Sequence, residues 1–475
     1  MKKLIIFILP LVFLTGCRKD LTSLNEDPKN PQSVPSYALF TNAQRTLART
    51  LASPNVNLNI FRLIEQQWTE TTYTDESNYD LQTRQIPRGV WNAMYRDVLR
   101  DFQESRKLIP SEPGLDATTI KNQLAIVDVM EVYTWYYLVT TFGNVPYSEA
   151  LNIDNPFPKY DGQAAIFADL IKRINADITA LSGGESFGDA DVIYGGDVAS
   201  WKMFAASVKL KIGMTLADVD NATAKSVVES AVASGVFASN DDNAQFNFLS
   251  SPPNVNPVWE DLVESGRKDF VATSTIIDTM AMLNDPRISA FFSTDAVGGY
   301  SGGTPGASNN YATFSKPNPA LSNPDAPHVF LDFSEVSFLL AEAKERGYTV
   351  PGTAALHYAN GVTASIEWWG GDAGSATTYL LQPSVNYLTA AGTYKRKIGF
   401  QKWLALYNRG FECWTSYRRL DFPLLTAPVD AEVNQVPTRY TYPAREETLN
   451  STNNTAASAA IGGNTLTTKL FWDVN

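Results

Sequence analysis

The chain has 475 residues, 44% of them hydrophobic, and 50 Asp and Glu against 38 Lys and Arg, for a formal charge of −12. That acidity argues against nucleic acid and anionic membrane surfaces as partners, while the length allows one large core or two merged ones. Two cysteines (Cys17, Cys413) and two histidines (His328, His357), all far apart, leave no Cys/His zinc cluster to build.

The chain opens with Lys2 and Lys3, an apolar run over residues 4–14 broken only by Pro10, and then Thr15-Gly16-Cys17. A charged start, a short apolar stretch and small residues before a cleavage point read as a signal peptide over residues 1–16. The run is far shorter than the ~20 residues that a spanning helix needs. Leu14-Thr15-Gly16-Cys17 resembles the bacterial lipobox, in which the cysteine is acylated and becomes the new N-terminus. Each buried CH₂ adds ~0.8 kcal/mol of membrane affinity, so two or three chains on Cys17 would anchor the protein stably. Residues 17–36 read as the lipidated cysteine and an extended tether, because Pro28, Pro31 and Pro35 each remove a donor and restrict the residue before them. With Cys17 modified, Cys413 has no disulfide partner and stability must come from burial.

From residue 37 to 475 the pattern is that of a single, mostly α body. Helices are expected over residues 37–51, 89–109 and 119–141, the last apolar nearly all round and therefore buried on most sides. Asp128 and Glu131 share one of its faces, Gly143 ends it, and Pro146 prevents a restart. Further helices are expected over 163–181, 200–218, 223–234, 274–283, 333–346, 353–369, 397–407 and 411–419. Several form pairs joined by a few residues, with small side chains such as Ala205, Ala206, Ala341 and Ala343 at the contacts. Such hairpins suggest tetratricopeptide-like units, an α/α superhelix supporting a loop-rich ligand-binding part. Irregular insertions fall near 235–273 and 293–332, dense in Gly, Pro, Asn and Ser. Residues 450–464 read as a loop before Leu470-Phe471-Trp472, which is expected to dock back.

Several short motifs, each weak alone, become specific in their order. Asn25-Glu26-Asp27-Pro28, the turn Phe142-Gly143-Asn144-Val145-Pro146-Tyr147 with Tyr160-Asp161, and Asn284-Asp285-Pro286-Arg287 are three of them. Leu339-Leu340-Ala341-Glu342-Ala343 with Arg346-Gly347, and Gln401-Lys402-Trp403 with Glu412, Trp414 and Arg418-Arg419, complete the set. From lipobox to C-terminus the chain resembles the SusD/RagB family of nutrient-binding lipoproteins, in particular its SusD-like subgroup. The resemblance implies a tetratricopeptide-like fold at the outer leaflet of the outer membrane, facing the extracellular side. It also implies a SusC-type TonB-dependent transporter as partner and a role in nutrient uptake, through binding of oligosaccharides or peptides.

Ligands of that kind need flat amphipathic rings, which Trp and Tyr supply. Most aromatic side chains belong to the core; those in loops or at helix ends are the candidates. Trp68, Tyr73 and Tyr79 lie in a polar, aromatic-interleaved segment with Arg84 close behind. Tyr300 and Tyr311 flank a Gly-rich loop, and Trp368 and Trp369 end a helix before Gly370-Gly371. Both histidines read as structural. Two alternatives stand beside carbohydrate binding. A helical secreted glycoside hydrolase or lyase would need two carboxylates ~5–9 Å apart, for which Asp75, Glu76, Asp80, Glu260 and Asp261 are available. No Gly-x-Ser-x-Gly, His-Glu-x-x-His or Walker pattern singles out a catalytic residue. The other alternative is a structural surface or adhesion protein. No cofactor beyond the lipid is expected; calcium in Asn240-Asp241-Asp242-Asn243 is left open, its spacing fitting a solvated turn equally. Replacing Cys17 by Ala is expected to abolish incorporation of radiolabelled palmitate, read by autoradiography of the purified protein.

Overall fold

The computed structural model describes residues 34–474, so the signal peptide, Cys17 and nearly all of the tether lie outside the described residues. The body begins with α1 (Ser36–Ala52), the single turn α2 (Phe61–Ile64) and the strand β1 (Trp68–Glu70). α3 (Ile86–Asn92) passes through a π-type stretch at Ala93–Leu99 into α4 (Arg100–Leu108), which packs on α1. The single helix expected over 89–109 is thus longer and interrupted.

The central helix is α5 (Ala117–Phe142). Asp116 accepts the Thr119 N–H at its start, and Gly143, at φ 94°, ends it. Its hairpin partner α6 (Gln163–Ala180) follows the small antiparallel pair β2 (Val145–Pro146) and β3 (Tyr160–Asp161). α7 (Val198–Thr215) and α8 (Asn221–Ser234) form a second hairpin, capped by Asp197 and Asp220. Their crossing needs Gly213, where a β-carbon would come within 2.9 Å of Val227.

The less regular half comprises β4 (Ala244–Phe246), α9 (Pro257–Trp259), β5 (Phe270–Ala272), α10 (Ser274–Met282), α11 (Ile288–Phe291) and β6 (His328–Leu331). Its strands pair β1 with β5 and β4 with β6. The insertions expected to be irregular therefore hold three short strands, because their Phe- and Val-bearing stretches find partners distant in sequence. Helical pairing resumes with α12 (Phe333–Glu345) and α13 (Ala354–Trp368), capped by Asp332 and Thr353. Then come α14 (Ala373–Leu380), α15 (Tyr394–Ala405), α16 (Gly410–Leu420), α17 (Ala444–Leu449) and α18 (Ser451–Ala460). The fold is mostly helical with tetratricopeptide-like pairs and a few small sheets.

One expected loop is a helix. α18 starts with Ser, Thr and Asn but carries four alanines, the best helix formers, and tertiary contacts add to that propensity. Asn450 and Asn453 donate to the Pro158 carbonyl at 2.8 and 3.3 Å, and Asn454 donates to the Tyr160 hydroxyl at 3.2 Å. The tail docks as expected: Leu470 and Trp472 are buried.

A buried charge cluster joins the hairpins. Glu335 on α12 faces Lys211 of α7 at 3.2 Å, Arg409 at 2.6 Å and Lys402 of α15 at 3.8 Å. Burial alone would raise the Glu335 carboxyl, but these three cations hold it at about 2. One turn pair further on, Glu342 meets Arg419 of α16 at 2.7 Å and Arg346 at 2.9 Å. Glu335→Ala leaves buried cations without their counter-charge and is expected to cost about 3–5 kcal/mol, measured by urea denaturation.

Candidate functional site

The polar segment after β1 and the Gly-rich loop, more than 200 residues apart, are stitched into one surface. β1 pairs antiparallel with β5, Trp68 opposite Ala272, and the Thr71 N–H extends the ladder to Asp269 O at 2.9 Å. The loop then locks on. Gly303 N–H donates to Ala272 O at 2.8 Å, and Asn309 N–H donates to Thr71 O at 3.0 Å. Buried Asn309 accepts from Thr304 N–H and donates to Glu70 O at 3.1 Å, while Asn78 donates to Gly306 O at 2.8 Å. Gly306, at φ 74°, lies so close to Asn78 and Pro428 that a β-carbon would collide with both.

This surface separates the candidate rings. Tyr73 is 78% exposed. Tyr311 is partly exposed, with the Lys268 and Lys316 amines 5.9 and 5.3 Å from its ring centroid. Tyr300 is half-buried and packs on the core. Trp68 and Tyr79, named with Tyr73 as candidates of which at least one would meet ligand, are by contrast core residues, 1% and 0% exposed, which leaves Tyr73 as the accessible ring of the three. Polar neighbours such as Gln66, Gln67 and Glu70 disguise Trp68, yet all of β1 is buried between α2, β5 and the Tyr407 region. The Trp68 indole donates to the Tyr407 hydroxyl at 2.9 Å and lies under the Arg62 guanidinium. Arg84 is an ion-pair partner of the buried Glu76. Glu70, beside Glu76, is pushed up to about 8 by burial. Of the eight non-glycine residues at positive φ among the described residues, four (Gln66, Tyr73, Tyr79, Gln85) lie within residues 66–85, around and after β1.

Trp368 and Trp369 lie elsewhere, both half-buried in the wall of a cavity of about 420 Å³. Trp369 packs edge-on against Phe291 at 4.9 Å and near Tyr407 at 5.8 Å. His328, Asp332 and Arg409 also line it. Sequence reasoning placed His328 as structural and missed Arg409; only the pairing of β6 with β4 and the close of α15 bring them to these indoles. Burial first, then Arg409 and Arg62, push the His328 imidazole well below its ordinary pKa, so it is neutral.

A third cleft, of about 700 Å³, lies between α4, α5 and α6. Here Asp128 and Glu131 do share a face, and Arg173 reaches both at 2.6 Å. Arg106 reaches them at 2.9 and 3.1 Å, and Tyr147 donates to Asp169 at 2.5 Å. The charges are spent on one another, which fits a brace of the first hairpin. Among the described residues no group of three or more His, Cys, Asp or Glu side chains converges as metal ligands. In the Asn240–Asp242 turn the Asp242 carboxylate is taken by the Ala238 and Ser239 N–H groups.

Residues 28–443 match the sequence model of the SusD-like_2 family, described as starch-binding and associating with the outer membrane. The chain belongs to this family. Solved structures agree with the SusD-like fold over nearly the whole length. A chitin-binding protein is 27% identical, with a TM-score of 0.81, over 93% of this chain and 100% of its own. A SusD homologue from Bacteroides thetaiotaomicron is 24% identical, with a TM-score of 0.79, over 93% and 100%. A chitin-binding SusD homologue from Flavobacterium johnsoniae is 22% identical, with a TM-score of 0.76, over 91% and 99%. These last two likenesses bear on the fold alone. No curated protein sequence matches the chain. No described helix is long and apolar enough to cross a membrane.

The placements separate two classes of substitution. Trp68→Ala empties a packed core site and is expected to cost about 3–5 kcal/mol. Tyr73→Ala removes an exposed ring and is expected to stay within about 0.5 kcal/mol of wild type, both read by thermal unfolding.

Proposed function

We propose that this protein is a lipoprotein, acylated at Cys17, that binds glycan oligosaccharides at the outer face of the outer membrane and delivers them to a SusC-type TonB-dependent transporter. The observation that supports the reading is two accessible rings on irregular segments that hydrogen-bond to each other: Tyr73, which is exposed, and Tyr311 between two lysines. Tyrosine faces contact the C–H patches of sugars while backbone and side-chain polar groups beside them meet hydroxyls. Family membership and the outer-membrane description support the location. The chitin-binding relative at 27% identity makes N-acetylglucosamine oligomers the first ligand class to test, ahead of starch-type glycans and peptides.

The reading is binding without turnover. Of the acids considered for hydrolysis, Glu76 is paired with Arg84, Glu260 with Arg49 at 2.6 Å, and Asp80 accepts the Gln82 and Thr83 N–H groups. These three carboxylates are engaged in structure; Glu260 and Asp261 also line a cleft, together with Arg45 and Arg49.

A glycan and peptide array on the full chain in detergent, with chromatography of the bound saccharide, tests this. Oligosaccharide binding without product is expected, with Tyr73→Ala and Tyr311→Ala each weakening it about tenfold, the loss of ~1.4 kcal/mol. Binding confined to peptides, or release of shortened glycan, overturns the reading. Co-purification of a large TonB-dependent barrel with the membrane-extracted protein tests the partner.

A further inference from the structure

The turn that presents Tyr73 is fastened to β1 through two buried acids. Glu70, at the end of β1, is 4% exposed. Its N–H donates to the Ser77 hydroxyl at 3.1 Å, and its carboxyl Oε2 accepts the Ser77 N–H at 2.9 Å. Glu76, on the turn itself, is fully buried, and neither of its oxygens accepts from a backbone N–H or a hydroxyl. The two carboxyl groups lie within hydrogen-bond reach of each other. Two acceptors meet in that way only when a proton joins them. The charge count agrees. Among the described residues Arg84 is the only cation in ion-pair reach of either acid, so one carboxylate is balanced and a second would be a buried, unpaired charge.

The surroundings offer no other compensation. Phe270 stands opposite Glu70 on β5; just before that strand Asp269 pairs with Arg267 at 3.5 Å, and the Lys268 amine lies by Tyr311. Residues 300–315 of the Gly-rich loop carry no Asp, Glu, Lys, Arg or His. The C-terminal stretch adds an acid, Glu432, whose N–H donates to Asn78 O at 2.9 Å. On the segment itself Asp75 is exposed, and Asp80 accepts the Gln82 and Thr83 N–H groups. Burial raises Tyr79 to about 12 and Glu65 to about 8, so neither supplies a positive charge.

We propose that Glu70 and Glu76 form a proton-held latch: the shared proton keeps residues 71–79 folded onto β1, and its loss frees the turn and withdraws Tyr73 from the ligand surface. Ser77 does not discriminate, since either form of Glu70 accepts its N–H; the contact between the two acids does. Glu76 sits on the turn beside Arg84, which is 35% exposed, so two ionised acids find relief when Glu76 moves to water with the turn. The effect on ligand rests on the carbohydrate reading above; the latch itself does not. In the closed turn Glu70 keeps its proton up to about 8, burial being the main cause, whereas in water it ionises near ~4.3. Opening is therefore coupled to proton loss and grows as pH rises between those values, by up to about tenfold per pH unit, and levels off above them.

Hydrogen–deuterium exchange of the full chain in detergent, read by mass spectrometry on peptides spanning residues 71–80 and corrected for the intrinsic pH dependence of exchange, tests the latch. Peptides from α5 are the folding control. From about pH 6 to about pH 8 the wild-type turn is expected to lose about tenfold or more in protection while α5 keeps its own. Glu70→Gln cannot ionise, yet it keeps both Ser77 bonds and can donate to Glu76, so its turn is expected to stay within about twofold over that range. Glu76→Gln leaves Glu70 beside Arg84 with no rival carboxylate and is expected to shrink the response as well, a second route if Glu70→Gln does not fold. A wild-type turn whose protection is indifferent to pH, or a response that either folded variant leaves at wild-type size, overturns the latch. Retention on insoluble chitin and starch at the same pH values reports the ligand surface separately, and is expected to fall with pH in wild type but not in Glu70→Gln. Retention absent at every pH, with the exchange pattern as expected, sinks the carbohydrate reading and leaves the latch standing. Retention with a pH-indifferent turn does the reverse.

Discussion

Glu335 is the point on which the helical scaffold turns. A carboxylate this deeply buried is unfavourable unless cations surround it closely, since the desolvation of each ion has to be offset by short, well-directed contacts. Lys211, Lys402 and Arg409 come from α7, α15 and the start of α16, so satisfying one side chain fixes three elements on α12. The Tyr133 hydroxyl of α5 donates to Glu412 at 2.6 Å, and Lys211 lies 3.8 Å from the same carboxylate. The central helix is thereby tied to the same hub. Hydrophobic contact alone would let helical hairpins slide by a turn; a charge that must meet three partners would not tolerate it. Glu342, seven residues on and so on the same face of α12, repeats the arrangement with Arg419 and Arg346.

The less regular half borrows its order from this scaffold. Arg409, one of the partners of Glu335, sits at the end of the stretch that presents Tyr407, and the Tyr407 hydroxyl accepts from Trp68 and donates to the Phe291 carbonyl at 3.1 Å. Phe291 stacks on Tyr407 at 4.1 Å. A strand, a helix end and a loop are thus indexed to one tyrosine ring. From β1 the order passes outward to residues 71–79 and the Gly-rich loop through backbone hydrogen bonds and Asn309. At the other end of α16, buried Arg418 lies 3.5 Å from the Trp414 ring centroid and 4.8 Å from that of Trp472, while donating to Thr140 O and Thr438 O. Burial lowers it to about 9, and rings and carbonyls take the place that a disulfide holds in many secreted proteins.

What the sequence revealed and what it hid follow from the range of the interactions involved. The α5 helix was legible because its cap, its apolar run and its terminating glycine are all local: residues 119–141 against Ala117–Phe142. Asp128 and Glu131 were legible as a pair because helical spacing alone puts them together, whereas Arg106 and Arg173, which answer them, come from other helices. Arg418 meets carbonyls, and Arg419 meets a buried acid as well as the Met214 carbonyl, partners that come from other elements. Trp68 was misread because its burial comes from β5 and Tyr407, distant in the chain, while its immediate neighbours are polar. The cavity around Trp368 was half-legible: the paired indoles at a helix end are local, but His328 and Arg409 reach them only through the fold. α18 hid because its Ser-, Thr- and Asn-rich start reads as a loop, while the contacts that hold that start reach residues near 158–160.

The two candidate surfaces differ in how they are held, and that difference bears on what each can recognise. The tyrosine surface hangs on loops secured by hydrogen bonds at their edges, with strained backbone at Tyr73 and a nearly free ring above it. The cavity is backed by the scaffold itself: Arg409 joins Asp332 in its wall to Glu335 in the hub, and Asp332 also caps α12 by accepting the Glu335 N–H at 2.7 Å. Side chains fixed in that way are ordered before a ligand arrives, so less conformational freedom is lost on binding.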